Sequence, residues 1–209
     1  MRLVVAQGPL RLILKWTQRA LFAAAALMFC YCAFVLTDTW IFQRREQRRL
    51  DRMLTDRRET PIATAVAPKA SPSAITDGLI GRINIARLGL SAIVMEGDDR
   101  ITLRRAVGHI PGTTLPGKPG NVGVAGHRDT FFRPLRNIQQ HDVITLTTAV
   151  GEYRYRVVST KVVSPRDIWV LNPGGDEILT LVTCYPFYFV GSAPDRFIVR
   201  AERIFQGNL

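Results

Sequence analysis

Eighteen consecutive uncharged residues, Ala20 to Thr37 (ALFAAAALMFCYCAFVLT), constrain this chain more than any other stretch. That length and composition suit a helix crossing a bilayer, which needs ~20 mostly apolar residues. Trp40, Ile41 and Phe42 carry the apolar character past Asp38, and Trp16 and Trp40 flank the run as interfacial aromatics do. No small-x-small cleavage pattern follows, so the expectation is one uncleaved transmembrane helix over residues 20–42, behind a cytoplasmic segment over residues 1–19. Any soluble fold must come from what remains of the 209 residues, which is room for one domain of ordinary size.

The formal charge of +11 is concentrated around the apolar run. Residues 1–76 hold 12 Lys and Arg against 5 Asp and Glu, net +7, whereas residues 77–209 hold 16 against 12, net +4. No aromatic-interleaved basic strand or helix-turn-helix pattern accompanies the excess, so nucleic acid is not an expected partner. Arg44, Arg45, Arg48, Arg49, Arg52, Arg57 and Arg58, with Glu46, Asp51, Asp56 and Glu59 among them, read as a solvated helical extension touching anionic lipid. Counted against Arg2, Arg11, Lys15 and Arg19, these arginines place the C-terminal part in the cytoplasm by the positive-inside rule.

TPIATAVAPKASPSAIT, Thr60 to Thr76, has no periodicity and reads as a linker, so residues 43–76 form a basic juxtamembrane segment plus linker and residues 77–209 a folded domain. Apolar alternation opens near Leu79–Ile85 and resumes at Leu88–Met95, with Gly89 turning between them. Ile101–Val107 suits a short helix, and HIPGTTLPGKPGN is loop. Strand runs recur at 121–125, 143–147, 153–163, 178–183 and 197–204. Seven or eight short strands separated by turns give an all-β class and a closed or nearly closed antiparallel barrel.

Two of these strands end on chemistry. Ile178–Thr183 stops at Cys184, with Tyr185–Pro186 ending the ladder behind it, and the next strand opens on Arg196. A third run, Gly123–Ala125, leads into Gly126 and His127, which supplies the base or cation that a nucleophilic thiol needs. AGHRDTFF (Ala125 to Phe132) and TLVTCYPF (Thr180 to Phe187), with an arginine twelve residues after the cysteine, resemble the sortase family of cysteine transpeptidases, most closely its class D. The resemblance covers roughly Leu79 to Phe205.

The resemblance implies an eight-stranded sortase-like β-barrel with short helices behind one N-terminal transmembrane helix. It places that barrel outside the cytoplasmic membrane, against the arginine count, and the expected topology follows it. It further implies that Cys184 attacks the scissile carbonyl of an LPxTx-type sorting signal, class D favouring a motif related to LPNTA. A thioacyl-enzyme forms and a cell-surface amine resolves it. His127 then handles the amine protons and Arg196 faces the developing oxyanion, with no cofactor or metal required.

Thr183, directly before the nucleophile, is a candidate contact for substrate or oxyanion, or an ordinary strand residue. Trp169, Tyr185, Phe187 and Tyr188 are candidates for lining a peptide groove, or for packing a barrel end. Substrate selection is expected from SPRDIWVLNPGGDE (residues 164–177) and the loop from Tyr185 to Asp195. Asp129 reads as a turn former, and His109 and His141 as satisfied or exposed. Cys30 and Cys32 fall within the apolar span, which leaves Cys184 a lone thiol in the soluble domain. Two other readings stand beside this one: a cell-wall cysteine transpeptidase of L,D-transpeptidase type, and a surface-displayed β-barrel binding module without activity.

Overall fold

The computed structural model describes residues 7–59, 78–189 and 191–205, and the linker expected over residues 60–76 lies outside them. The chain divides into two compact units, Met1–Ile41 and Phe42–Leu209. Helix α1 (Gln7–Glu59) supplies the first unit and the opening of the second. In the first, Leu21, Phe22, Leu27 and Phe29 are 68–75% exposed, which would be costly in water and is ordinary in lipid. The hydroxyls of Thr17 and Thr37 donate to carbonyls three and four residues back, so these polar groups need no water. By length and composition α1 is able to cross a membrane.

The second unit is a closed barrel of eight strands: β1 (Leu79–Ile85), β2 (Leu90–Glu96), β3 (Val107–His109), β4 (Gly120–Ala125), β5 (Val143–Thr148), β6 (Glu152–Val163), β7 (Glu177–Tyr185) and β8 (Asp195–Arg203). Around the barrel they run β1-β2-β3-β4-β7-β8-β6-β5. Alternation along each strand builds the core: Ile83, Ile85, Val94, Val124, Leu146, Leu179, Leu181 and Val199 point inward and are essentially inaccessible. Gly89 turns the chain between β1 and β2 in the left-handed region at φ 61°, where a Cβ would be strained. A short helix, α2 (Arg100–Arg105), is capped by Asp99, whose side chain accepts from the amides of Ile101 and Thr102.

The barrel departs from the antiparallel expectation at two of its eight seams, because β2 pairs with β3, and β4 with β7, in parallel. Strand β3 falls partly in the stretch read as loop, since three residues before a Pro- and Gly-rich segment carry too little pattern to register.

The arginine-rich stretch is helical but not simply solvated. From Phe42 onward, one face of α1 packs on the barrel: Leu50 is 1% exposed against Leu79 and Ile93, with Leu54 and Met95 around them. Gln43 donates through Nε2 to the Arg105 carbonyl (2.6 Å) and accepts the Ile93 amide on Oε1 (2.9 Å). Leucines at helical spacing inside a run of arginines hid this seam from composition. Leu50→Ala is expected to lower unfolding free energy by about 2–4 kcal/mol, the usual range for truncating a buried leucine, read from denaturant titration.

Arg87, in the 3-10 turn Ala86–Leu88, grips the buried carboxylate of Asp142 through Nε and Nη2, the latter at 2.6 Å, and also donates to the Asn137 carbonyl. The Arg87 hydrogen bond holds the Asp142 carboxyl below the usual aspartate range, helped by the Gln139 amide. A depressed acid adds stability above its unfolded value near 4, and that contribution is lost as pH falls toward the folded value. Thermal stability should therefore drop below about pH 4 more steeply in the parent protein than in Asp142→Asn. At neutral pH the variant should be only slightly less stable than the parent, because Arg87 is half exposed and water screens the pair.

Candidate active site

The two strands carrying the thiol and the guanidinium are hydrogen-bonded neighbours, and their register sets Cys184 directly opposite Arg196. Opposed residues on one face have Cβ atoms roughly 4.5–5.5 Å apart. On the other side of β7, the parallel ladder with β4 pairs Ala125 with Val182. It continues one step further, since the Gly126 amide donates to the Val182 carbonyl (3.1 Å) and Thr183 Oγ1 donates to the Gly126 carbonyl (2.7 Å). These bonds carry His127 to the level of Cys184. All three side chains are half-buried and line one cavity of about 340 Å³.

Gly126 is needed for this approach, because a Cβ there would lie 2.7 Å from the ring of the fully buried Phe132. The Phe132 amide donates back to the His127 carbonyl at 3.0 Å and closes the turn that follows. Cys184 is a free thiol. Among the described residues the His127 ring has no hydrogen bond or ion pair with a carboxylate, and exposed Asp129 makes no side-chain hydrogen bond. Arg196 directs Nη1 to the carbonyls of Asp195 (3.0 Å) and Ala193 (3.4 Å), which holds its guanidinium at the cavity edge.

The other expected contacts are distributed differently. Thr183 lines the cavity, but it is buried and its hydroxyl proton is engaged by Gly126. Trp169 lines a neighbouring hollow instead. Tyr185 and Phe187 pack with Phe197 in an aromatic group, centroids 5.3–6.2 Å apart, at the end of β7. Tyr188 is 78% exposed and accepts from Arg136 Nη1 at 2.8 Å. Of the segments expected to select substrate, the first supplies cavity wall through Ser164, Pro165, Asp167, Ile168, Val170 and Leu171.

Arg128 stands in the AGHRD motif beside His127 but outside the expected triad. Its Nη2 donates to the carbonyls of Phe189 (2.7 Å) and Gly191 (2.8 Å), so the strand end bearing the histidine grips the loop joining Cys184 to Arg196. Asp98 and Ile110 also reach the cavity wall, from segments whose sequence gave no signal of it. His109 is buried between Glu96 (Nδ1 to Oε2, 2.9 Å) and the Thr114 carbonyl (Nε2, 3.1 Å), and His141 is exposed in a turn at φ 72°.

A family model, the Sortase domain, matches residues 83–204, well over half of the chain. The protein belongs to the sortase family. Sortase D of Bacillus subtilis is 34% identical over 137 residues, which span 65% of this chain and 69% of that protein. Sortase A of Listeria monocytogenes is 28% identical over 130 residues, 60% of this chain and 58% of that one. Among solved structures, a Clostridium perfringens Sortase D5 transpeptidase superposes with TM-score 0.56 at 32% identity, covering 61% of this chain and 79% of that one. A lid mutant of Sortase A from Corynebacterium diphtheriae gives TM-score 0.59 at 27% identity over 76% of this chain and 95% of that one. This sortase is thus a cysteine transpeptidase on an eight-stranded barrel, and its likeness to two class D proteins agrees with that class. Family membership sets aside both the L,D-transpeptidase reading and the inactive binding module.

Proposed function

We propose that this sortase is a membrane-anchored class D enzyme that cuts an LPxTx-type sorting signal through a thioacyl on Cys184 and passes the acyl group to a cell-surface amine. One observation carries the reading: Cys184 and Arg196 oppose each other across the β7–β8 ladder while His127 enters from β4 into the same cavity. The thiolate attacks the carbonyl carbon before the scissile bond, the C–N bond breaks, and His127 gives its proton to the departing amine. An incoming amine then attacks the thioester carbonyl, loses its proton to His127 and expels the Cys184 sulfur. Arg196 steadies the oxyanion in both halves, where a fixed donor is worth more than in water. Thr183 serves this scheme by fixing the Gly126 carbonyl and hence the turn that presents His127, while the aromatic group of Tyr185 and Phe187 supports the strand end behind the thiol.

A Clostridium perfringens sortase C solved with the C-terminal cell wall sorting motif is 27% identical with TM-score 0.57, and that likeness supports a sorting peptide as the substrate class here. Quenched LPxTx peptides with an amine acceptor test the reaction. Amine-dependent product is the expected result, and its absence for every peptide would overturn the reading. The anchor reading puts the barrel on the outer face, with lipid contacting α1. Protease added to intact spheroplasts should therefore release the barrel, and full protection would reverse the topology.

A further inference from the structure

The floor of the catalytic cavity does not stop at the triad. Leu179, Leu181, Val199 and Ala201 fill the barrel core, so the alternate residues of β7 and β8 face outward. Those residues align in rows across three strands: Cys184, Arg196 and Val163 in the first, Val182, Ile198 and Lys161 in the second, Thr180, Arg200 and Ser159 in the third. The third row lies four residues along β7 from the nucleophile, about 13 Å at ~3.3 Å per residue. Over it, the 3-10 turn Ile168–Leu171 lays Trp169 and Val170, enclosing a hollow of about 230 Å³. Val170 and Ile198 line this hollow and the catalytic cavity alike, so the two adjoin.

The chemistry of the hollow is one-sided. Arg200 is half-buried and has no hydrogen bond or ion pair among the described residues. Lys161 lies 5.6 Å from the Trp169 ring centroid and likewise has no carboxylate partner among them. The nearest acid on the covering turn, Asp167, already accepts from the Ser164 amide (2.8 Å) and from Trp169 Nε1 (3.3 Å). Glu202, next outward on β8, opens onto other surface hollows. The Thr180 hydroxyl donates to Asn121 Oδ1 and so offers no competing proton. A guanidinium partly removed from water without a counter-charge, next to an ammonium, makes a standing attraction for an anion, and a planar fork suits a carboxylate best.

We propose that this hollow is a subsite for a carboxylate carried on a peptide, and that it selects for an acidic residue close to the transferred segment. This rests on reading the triad cavity as the site of acyl transfer. An extended peptide spans about 13 Å in four residues, which places the carboxylate past the N-terminal end of the sorting pentapeptide, on the residues preceding it. An acceptor bearing a free carboxylate offers the same chemistry from the second substrate.

The test uses the full chain in detergent or nanodiscs and quenched sorting peptides that carry Glu, Gln or Lys at each of the three positions before the pentapeptide. The Glu peptide should show a KM about tenfold below that of its Gln counterpart at one position, the scale of one charge-assisted hydrogen bond. In Lys161→Gln combined with Arg200→Gln, the ratio of the two KM values should fall to near 1. Arg200→Glu should instead favour the Lys peptide, which keeps the idea testable where the double variant folds poorly. A preference seen only between an acceptor with a free carboxylate and its amide, and lost in the double variant, would assign the hollow to the acceptor. Equal KM for Glu and Gln donors and for both acceptor forms would overturn the subsite while leaving the transferase reaction intact. Anisotropy of labelled peptides on Cys184→Ala protein supplies a readout without turnover. Arg200-dependent binding of Glu peptides by an enzyme that cleaves none would uphold the subsite and overturn the reaction, whereas charge-blind binding would overturn the subsite.

Discussion

Cys184→Ala is expected to abolish the thioacyl-enzyme, leaving no mass shift on the protein after incubation with a sorting peptide. The barrel should survive the change, because Cys184 is half-buried at a strand end outside the core, and its thermal melt should match the parent's. His127→Ala should lower single-turnover acylation roughly 10²- to 10⁴-fold, the usual weight of a positioned acid–base group. The loss should be incurred twice, once at departure of the first amine and once at entry of the second. Acylation within tenfold of normal in a folded His127→Ala protein would mean that water or another group moves the proton.

Arg196→Lys separates charge from geometry. Lysine keeps the positive charge but has no planar fork: its three donors sit on one nitrogen, whereas Arg196 holds the Asp195 and Ala193 carbonyls with Nη1 and keeps its other nitrogens for the oxyanion. Losing one such donor typically slows the chemical step ~10²- to 10³-fold. Mass spectrometry of single-turnover acylation, with melts run in parallel, reads the effect. Near-normal acylation in a folded variant would remove Arg196 from the oxyanion role.

What could be read from sequence follows the range of the physics involved. Strand runs announce themselves through period-two alternation and β-branched content, so β1, β2 and β4 to β8 are legible to within a few residues. The motifs around His127 and Cys184 sit at strand ends, where short-range pattern is strong. The seams are another matter: that β4 lies against β7 in parallel, and that β6 rather than β5 meets β8, depends on crossovers no local window records. For the same reason the row joining Arg200, Thr180 and Ser159 is invisible until two registers are known. Leu50 and Gln43 were masked by composition, since a segment counted as arginines does not show which face is apolar. Arg128 was legible as part of a motif but not as a clamp, because its partners are main-chain carbonyls of Phe189 and Gly191 that carry no sequence signal.

On the proposed chemistry, the parallel seam between β4 and β7 also fixes when the enzyme becomes reactive. His127 and Cys184 are 57 positions apart in the chain, with β5 and β6 made between them, and they meet only after that long loop has closed. Contacts of such separation come late, because the entropy of closing the intervening chain must be met before they give anything back. A chain whose barrel has not yet closed therefore carries Cys184 without His127 beside it. Competence to acylate should appear in one step with barrel closure, so the time course of thioacyl formation during refolding would trace the last seam to zip.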